Sequence, residues 1–396
     1  MATSNTTTET PPGSSRVTVS DGDHQRPFMR GILVHSLMSR DLSFDDALRV
    51  AELVRSRIKP EGVIKRSELA EIIEKVVTED FPEIEMTAPN ALVEIEVGEG
   101  RDAAPFSKGH LSQSLLASAL DPSDAFEVAR EIETDLRWKG VRSVQRSVLR
   151  RMAHDALVNR FGQRTADRFL CWRHYQEPER PVVLLIGGTT GAGKTSVALE
   201  VALRLGIGRV LSTDSIRQVM RMLIPRELVP ALHVSSFDAY RELPGSSETE
   251  NPAVDGFIAQ ASAVSLGARA MIDRAVEENA SLVLDGVPLV PGMIDLDAYA
   301  NVADVIPVVL ARLDEEAFAS HFQSRAGRER RRDSARYVEN LGAILAIQEY
   351  LLDLADSHDV PIIDNDSVDQ SVRRVIAHTV DTLGKKRELD LLSLIQ

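Results

Sequence analysis

Residues 188–195 read Gly-Thr-Thr-Gly-Ala-Gly-Lys-Thr and satisfy G-x-x-x-x-G-K-[ST]. Those residue types are the ones needed to hold a polyphosphate. Glycines let main-chain N–H groups close around phosphate oxygens, at the start of a helix whose partial positive charge adds to theirs. Gly188, Thr189, Thr190, Gly191, Ala192, Gly193, Lys194, Thr195 and Ser196 are therefore the candidate nucleotide-binding residues, with ATP as the expected cofactor. Lys194 would bridge the β- and γ-phosphates, a catalytic role as well as a binding one, and the Thr195 hydroxyl would hold Mg²⁺. A second metal ligand is expected from a neighbouring strand, and Asp285 stands directly after the apolar run Ser-Leu-Val-Leu. The competing reading of Asp285 is a turn residue preceding Gly286.

What happens to the phosphate depends on the residues around it. Asp214, in Ser-Thr-Asp-Ser-Ile-Arg, follows the second apolar run and should emerge beside the phosphate loop. A carboxylate there suits a general base that takes a hydroxyl proton as the γ-phosphoryl group transfers. Arg217 and Arg221 follow at helical spacing and would clamp an anionic substrate. The structural reading makes Asp214 the N-cap of a helix starting near Ser215, and both roles can hold together. Further on, Arg325, Arg328, Arg332 and Arg336 are spaced three, four and four, one face of a helix, with Arg330 and Arg331 between them. In an acidic chain such a patch wants an anion. We expect a lid, with Arg325 and Arg328 over the transferring group and Arg332 on the substrate. A solvated face paired with Glu329 and Asp333, or an RNA patch, are the alternatives. The guanine-specificity motif Asn-Lys-x-Asp and the transporter signature Leu-Ser-Gly-Gly are both missing. A small-molecule kinase is the leading class.

These residues need a scaffold that brings strand ends together. Strand patterns lie at 182–186, 208–212, 281–285, 305–310 and 360–364. Helical patterns lie at 194–205, 215–223, 256–278, 314–322, 334–357 and 367–383. Alternation of this kind implies an α/β domain over 182–396, with a mostly parallel five-stranded sheet and helices on both faces. Ligands of such sheets bind beyond the carboxyl ends of the strands.

The first half of the chain repeats itself. "PFMRGILVHSLMSRDLSFDDALRVAELVRSRI" from Pro27 and "PFSKGHLSQSLLASALDPSDAFEVAREIETDL" from Pro105 agree at 11 of 32 positions, at a constant offset of 78. Each copy follows a strand-like segment, "RVTVSD" or "LVEIEV", and leads into another helical pattern. Two mainly helical modules are expected, at 16–92 and 93–176, after a disordered tail at 1–15 and before a polar linker at 177–181.

Composition narrows the setting. A formal net charge of −14 argues against a nucleic-acid partner. No apolar run approaches the ~20 residues that would span a membrane, and the N-terminus lacks a signal-peptide pattern. The single cysteine, Cys171, suits a reducing cytoplasm and reads as a small core residue.

Two resemblances extend this reading. The Pro-Phe-x-[Arg/Lys]-Gly-x-Leu turn with its hairpin and helices resembles an ATP-cone, a small domain that binds adenine nucleotides and regulates an attached enzyme. The basic residue that ATP-cones usually carry before the hairpin Asp-Gly is absent from both copies, which read Val19-Ser20-Asp21-Gly22 and Val97-Gly98-Glu99-Gly100. Packing or homo-oligomerisation is the other reading of these modules. From 181 to 385 the chain closely resembles archaeal-type 2-phosphoglycerate kinase, through "STDSIRQVMRMLIPRELVPALHVSSFDAY", "LDGVPLVPGM", "RYVENLGAILAIQEYLLDLA" and "VPIIDN". The resemblance implies transfer of the ATP γ-phosphate to the free hydroxyl of 2-phosphoglycerate, giving 2,3-bisphosphoglycerate, with Mg²⁺. His233 and Ser235 would also touch the substrate, although a lone histidine is more often structural. A doubled module departs from what that family leads us to expect. A different anionic acceptor, and a nucleotide sensor that binds without transferring, are the competing functions.

Overall fold

The computed structural model describes every residue except 1–16, 22–23, 39–41, 59–61, 83–94, 99, 101–102, 140, 176–178, 245–248, 315–317, 319–335, 387–390 and 396. The expected tail, the start of the linker and Arg325, Arg328, Arg330, Arg331 and Arg332 lie outside the described residues. The chain divides into two compact units, Met1–Val93 and Glu94–Gln396.

In the first unit β1 (Val17–Asp21) pairs antiparallel with β2 (His24–Pro27) and parallel with β3 (Gly62–Lys65). Helices α1 (Arg30–Met38), α2 (Phe44–Arg57) and α3 (Arg66–Asp80) complete it. The second unit opens on the same plan. Here β4 (Glu96–Val97) pairs antiparallel with β5 (Ala104–Pro105) and parallel with β6 (Ser143–Val144). Its helices are α4 (Lys108–Leu115), α5 (Pro122–Trp138), α6 (Arg146–Phe161) and α7 (Gln163–His174). The sequence offset carries one helix start onto the other. Ser43 caps α2 and Asp121, 78 positions later, caps α5, each through its side-chain oxygen.

The rest of the second unit is a parallel sheet of β7 (Val182–Gly187), β8 (Val210–Ser212), β9 (Leu282–Asp285), β10 (Asp304–Ala311) and β11 (Ile362–Asp364), in the order β11-β10-β7-β9-β8. Helices α8 (Lys194–Leu205), α9 (Thr213–Leu223), α10 (Pro252–Glu277), α11 (Leu341–Ser357) and α12 (Val368–Lys386) cover it. The three inner strands, β10, β7 and β9, are buried on both sides and so read as continuous apolar runs. Their alternate residues nonetheless serve different layers. Val182, Leu184 and Ile186 face the core under α8 and α12, whereas Val183 and Leu185 face the one under α10. Among the described residues no helix is long and apolar enough to cross a membrane.

The doubled module does not stop at a boundary. Ala117, Cys171, Trp172 and Tyr175 lie in one apolar cluster with Val197, Val201, Ala202 and Leu205 of α8. Trp172 Nε1 donates to Leu205 O at 3.0 Å and Gln113 Nε2 to Leu203 O at 2.7 Å. These are carbonyls at the C-terminal end of α8, which lack partners inside the helix. Arg168 binds Asp381 of α12 through two nitrogens at 2.6 and 2.8 Å, and Arg373 reaches Asp121 at 2.6 Å. Cys171 is buried here, as its reading as a core residue expects. Burial pushes its thiol up to about 12, with Asp381 and Asp167 adding to the effect, so it remains a thiol at neutral pH.

Candidate active site

The sheet register sets the site. Asp285 of β9 pairs with Ile186 of β7 on one side and with Ser212 of β8 on the other. The loop leaving β7, the end of β9 and the start of α9 therefore emerge together at the carboxyl edge of the sheet.

The loop shows why glycine is needed at two positions. Gly188 has φ +134° and lies so close to β10 that a Cβ would sit 2.1 Å from Leu310 O. Gly193 has φ +84°, and a Cβ there would sit 2.3 Å from Asn365 Nδ2. Asn365 donates that amide to Ala192 O at 2.7 Å and so holds the loop from below. Thr189 and Ala192 are buried, Thr190 and Gly191 are half-buried, and Thr195 and Ser196 are exposed on the first turn of α8. Lys194 is buried and its Nζ donates to Thr189 O at 2.7 Å, folding the ammonium back onto the loop.

Thr195 Oγ1 donates to Asp285 Oδ2 at 2.8 Å. Asp285 is 2% exposed, and its other oxygen is buried without a hydrogen-bond partner. Burial pushes this carboxyl above the usual carboxylate range, and the charge of Asp214 adds to that. The Thr195 hydroxyl and the Lys194 ammonium pull the other way. A buried carboxylate oxygen with no partner beside a threonine hydroxyl is a donor set that fits a hard divalent cation such as Mg²⁺. Among the described residues no group of three or more His, Cys, Asp or Glu could hold a metal. A cation held here would thus draw its remaining ligands from water and substrate phosphates.

On the neighbouring strand the capping alternative fails. Helix α9 starts at Thr213, and the Ser212 hydroxyl accepts from Asp214 N at 3.1 Å. The cap is two residues earlier than expected, at the end of β8, which leaves the Asp214 carboxylate, 74% exposed, outside the capping bond. Arg217 Nη2 donates to it at 3.1 Å, while Arg217 Nη1 donates to Val234 O at 2.8 Å. Arg221 lies one turn on and binds Gln218 Oε1 at 3.1 Å. The ring Nε2 of His233 lies 3.0 Å from Ile224 O, so a main-chain carbonyl engages that edge of the imidazole. Ser235 precedes the short helix 236–242 and makes no capping bond to it. The 230–235 segment is braced from beneath by Gln260, 1% exposed, which donates to Ala231 O and Val234 O at 2.5 and 3.0 Å.

Two residues that shape this edge are not among the expected site residues, Gln260 and Asn365. Asn365 closes the Val-Pro-Ile-Ile-Asp-Asn segment, a polar residue directly after the last strand. Gln260 hides inside a long helical pattern.

Comparison with known proteins gives this geometry relatives. Residues 167–226 match the Zeta toxin family. The 2-phosphoglycerate kinase of Pyrococcus furiosus is 34% identical over 304 residues, covering 76% of this chain and 99% of that protein. That of Methanococcus vannielii is 36% identical over 293 residues, covering 72% and 93%. Each leaves about a quarter of this chain unmatched. Among solved structures, a gluconokinase from Sinorhizobium meliloti aligns at 15% identity with a TM-score of 0.30, over 52% of this chain and 96% of that one.

Proposed function

The chain belongs to the 2-phosphoglycerate kinase family, and from that premise we propose that it transfers the γ-phosphoryl group of ATP to 2-phosphoglycerate. The acceptor's only free hydroxyl is on C3, so the products are 2,3-bisphosphoglycerate and ADP. The observation that carries this reading is the exposed Asp214 carboxylate. It is held by Arg217 at the sheet edge that also bears the phosphate loop. A pure nucleotide sensor has no use for a poised base at that place.

In this mechanism the loop amides and Lys194 hold the ATP phosphates, the ammonium moving from Thr189 O onto phosphate oxygens. Asp214 accepts the C3 hydroxyl proton as the oxygen attacks the γ-phosphorus. The new O–P bond forms as the bond from the γ-phosphorus to the β–γ bridging oxygen breaks, and ADP leaves with that oxygen. Arg217 and Arg221 attract the acid, with His233 and Ser235 at its margin. Arg325, Arg328 and Arg332 keep the lid roles that their spacing suggests. Thr195 and Asp285 would hold Mg²⁺, which neutralises charge on the β- and γ-phosphates when bound. The cytoplasm is the proposed compartment.

The test is ADP release from ATP and Mg²⁺ with and without 2-phosphoglycerate, the product being read by ³¹P NMR. Strong stimulation with a new bisphosphate is expected. Nucleotide binding with no stimulation by any phosphorylated acid would return the sensor to the front.

Asp285 adds a pH dependence with a definite sign. Its raised carboxyl binds a proton more readily when folded than unfolded, so acidification through that range stabilises the metal-free protein relative to a higher pH. The same proton competes with the metal. Apparent Mg²⁺ affinity should therefore start to fall at a higher pH than an ordinary aspartate would give. Calorimetric titration of Mg²⁺ with a bound ATP analogue between pH 8 and 5 checks this, with Asp285→Asn expected to bind weakly and without that dependence.

A further inference from the structure

Asp238, in the short helix 236–242, is only 4% exposed, yet two arginines from separate elements converge on its carboxylate. Arg336 approaches through Nε, at 3.1 Å, and Nη2, both directed at Oδ2. Arg241 Nη1 lies 3.3 Å from Oδ1. Arg241 is further fixed by Nε donating to Tyr240 Oη at 3.1 Å and by Nη2 donating to Asn340 Oδ1 at 3.0 Å. Arg336 lies over the Phe237 ring at 5.7 Å. Neither arginine is hidden, since their side chains keep 58% and 51% of their exposure. Both border a cavity of about 520 Å³ whose other walls are Val234, Glu242, Glu339 and Asn340.

The cavity's neighbours say what it adjoins. Val234 is the residue whose carbonyl Arg217 holds, and Arg217 pairs with the proposed base. Asn340 lies one helical turn before Ile344, whose carbonyl faces the Thr189 hydroxyl of the phosphate loop at 3.4 Å. Neither Asp214 nor the loop lines the cavity itself; its Val234 wall is joined to the base through Arg217 and its Asn340 wall to the loop through α11, so the cavity lies beside the space where an acceptor must sit. Three acids face it as well. Glu242 is engaged by Arg226 at 2.6 Å, Asp238 by the two arginines, and Glu339 acts on Arg241 from the solvent side.

We propose that Arg241 and Arg336 form a two-walled clamp for the phosphate group of the acceptor, with Asp238 as the positioning residue that sets both guanidinium planes. The proposal rests on the acceptor assigned above and names the group that this cavity recognises. A phosphate is favoured over the acceptor's carboxylate on donor geometry. The Nε/Nη2 fork of Arg336, the edge that a planar carboxylate would take bidentately, is already filled by Asp238. What remains are single N–H donors projecting from two walls, suited to a tetrahedral group whose oxygens diverge. Asp238 also explains how two cations stay close together before substrate arrives, since a buried carboxylate between them offsets their repulsion.

Steady-state kinetics of the full-length protein test the clamp. Arg241→Gln should raise KM for 2-phosphoglycerate roughly 30- to 100-fold, the loss of a charged hydrogen-bond donor. KM for ATP and the melting temperature should stay close to wild type, and Arg241→Lys should recover part of the loss. Asp238→Asn should raise the same KM about tenfold with a smaller change in kcat, because the arginines remain but lose their alignment. Competitive inhibition by phosphoglycolate, which has the phosphate and carboxylate but no hydroxyl, should weaken in parallel. A wild-type enzyme that 2-phosphoglycerate does not stimulate would overturn the acceptor assignment itself. A stimulated wild type whose Arg241→Gln variant keeps its KM, or loses affinity for ATP and acceptor alike, would overturn the clamp alone.

Discussion

Lys194→Met should lower kcat for 2-phosphoglycerate phosphorylation about a thousandfold or more, the scale of losing a preorganised charge over a transferring phosphoryl group. Methionine keeps the length and packing of the buried side chain, so the fold should survive. Two effects combine. The ammonium that would meet the β- and γ-phosphates is gone, and Asp285 loses the cation that now restrains its raised carboxyl. The proton on Asp285 should consequently compete with Mg²⁺ more strongly than in the wild type, even before chemistry is considered. Single-turnover kinetics at saturating ATP and Mg²⁺ separate the two, since added metal restores only the second. Activity within tenfold of wild type under those conditions would remove Lys194 from the chemistry.

Asp214→Asn is expected to cost about 10²- to 10⁴-fold in kcat, the usual range for a general base. The substitution is nearly isosteric, and the capping bond survives because it uses the main-chain N–H of residue 214. The lost ion pair with Arg217 is largely exposed on the aspartate side and is worth at most about 1 kcal/mol. Stability and the ATP dissociation constant should therefore change little while transfer collapses. A variant that transfers normally would mean that solvent takes the proton, leaving Asp214 a partner for Arg217 and no more. The pair of variants discriminates between roles, because Lys194→Met should weaken nucleotide affinity and Asp214→Asn should not, and their effects on the Asp285 carboxyl have opposite signs.

Much of this edge of the sheet was legible beforehand because the chemistry there is local. The phosphate loop is eight consecutive residues, and its flanking strand and helix are continuous apolar patterns, so Lys194, Thr195 and Asp285 could be placed without seeing them. Helix α9 starts two residues before its apolar pattern does, because Ser212 and Asp214 are both good caps and sequence does not rank two candidates so close together. Helix α10 begins four residues earlier than its periodicity suggested, at Pro252, where a missing N–H costs nothing. The pattern over 334–357 proved to be a helical turn at 336–339 and then α11. Asn340 marks the break, with its side-chain amide bonded to Arg336 O at 2.8 Å.

The clamp is legible only in part. Arg336 falls on the arginine-rich helical face expected to meet an anion, but nothing in the sequence singles out Asp238, Arg241 or Asn340, and about a hundred residues separate the two walls they bring together. Reading a buried aspartate from sequence requires knowing which arginines will fold over it, and that is a property of the tertiary arrangement.

The grip of Trp172 and Gln113 on the far end of the helix behind the phosphate loop also orders events in time. A nascent chain leaves the ribosome N-terminus first. Trp172 must wait for Leu205 to emerge, and the face around Cys171 stays uncovered until α12 has been synthesised. The first half of this unit therefore cannot finish maturing before α12 has emerged, and a message cut short ahead of α12 would yield a protein whose damage lies about two hundred residues upstream of the missing piece.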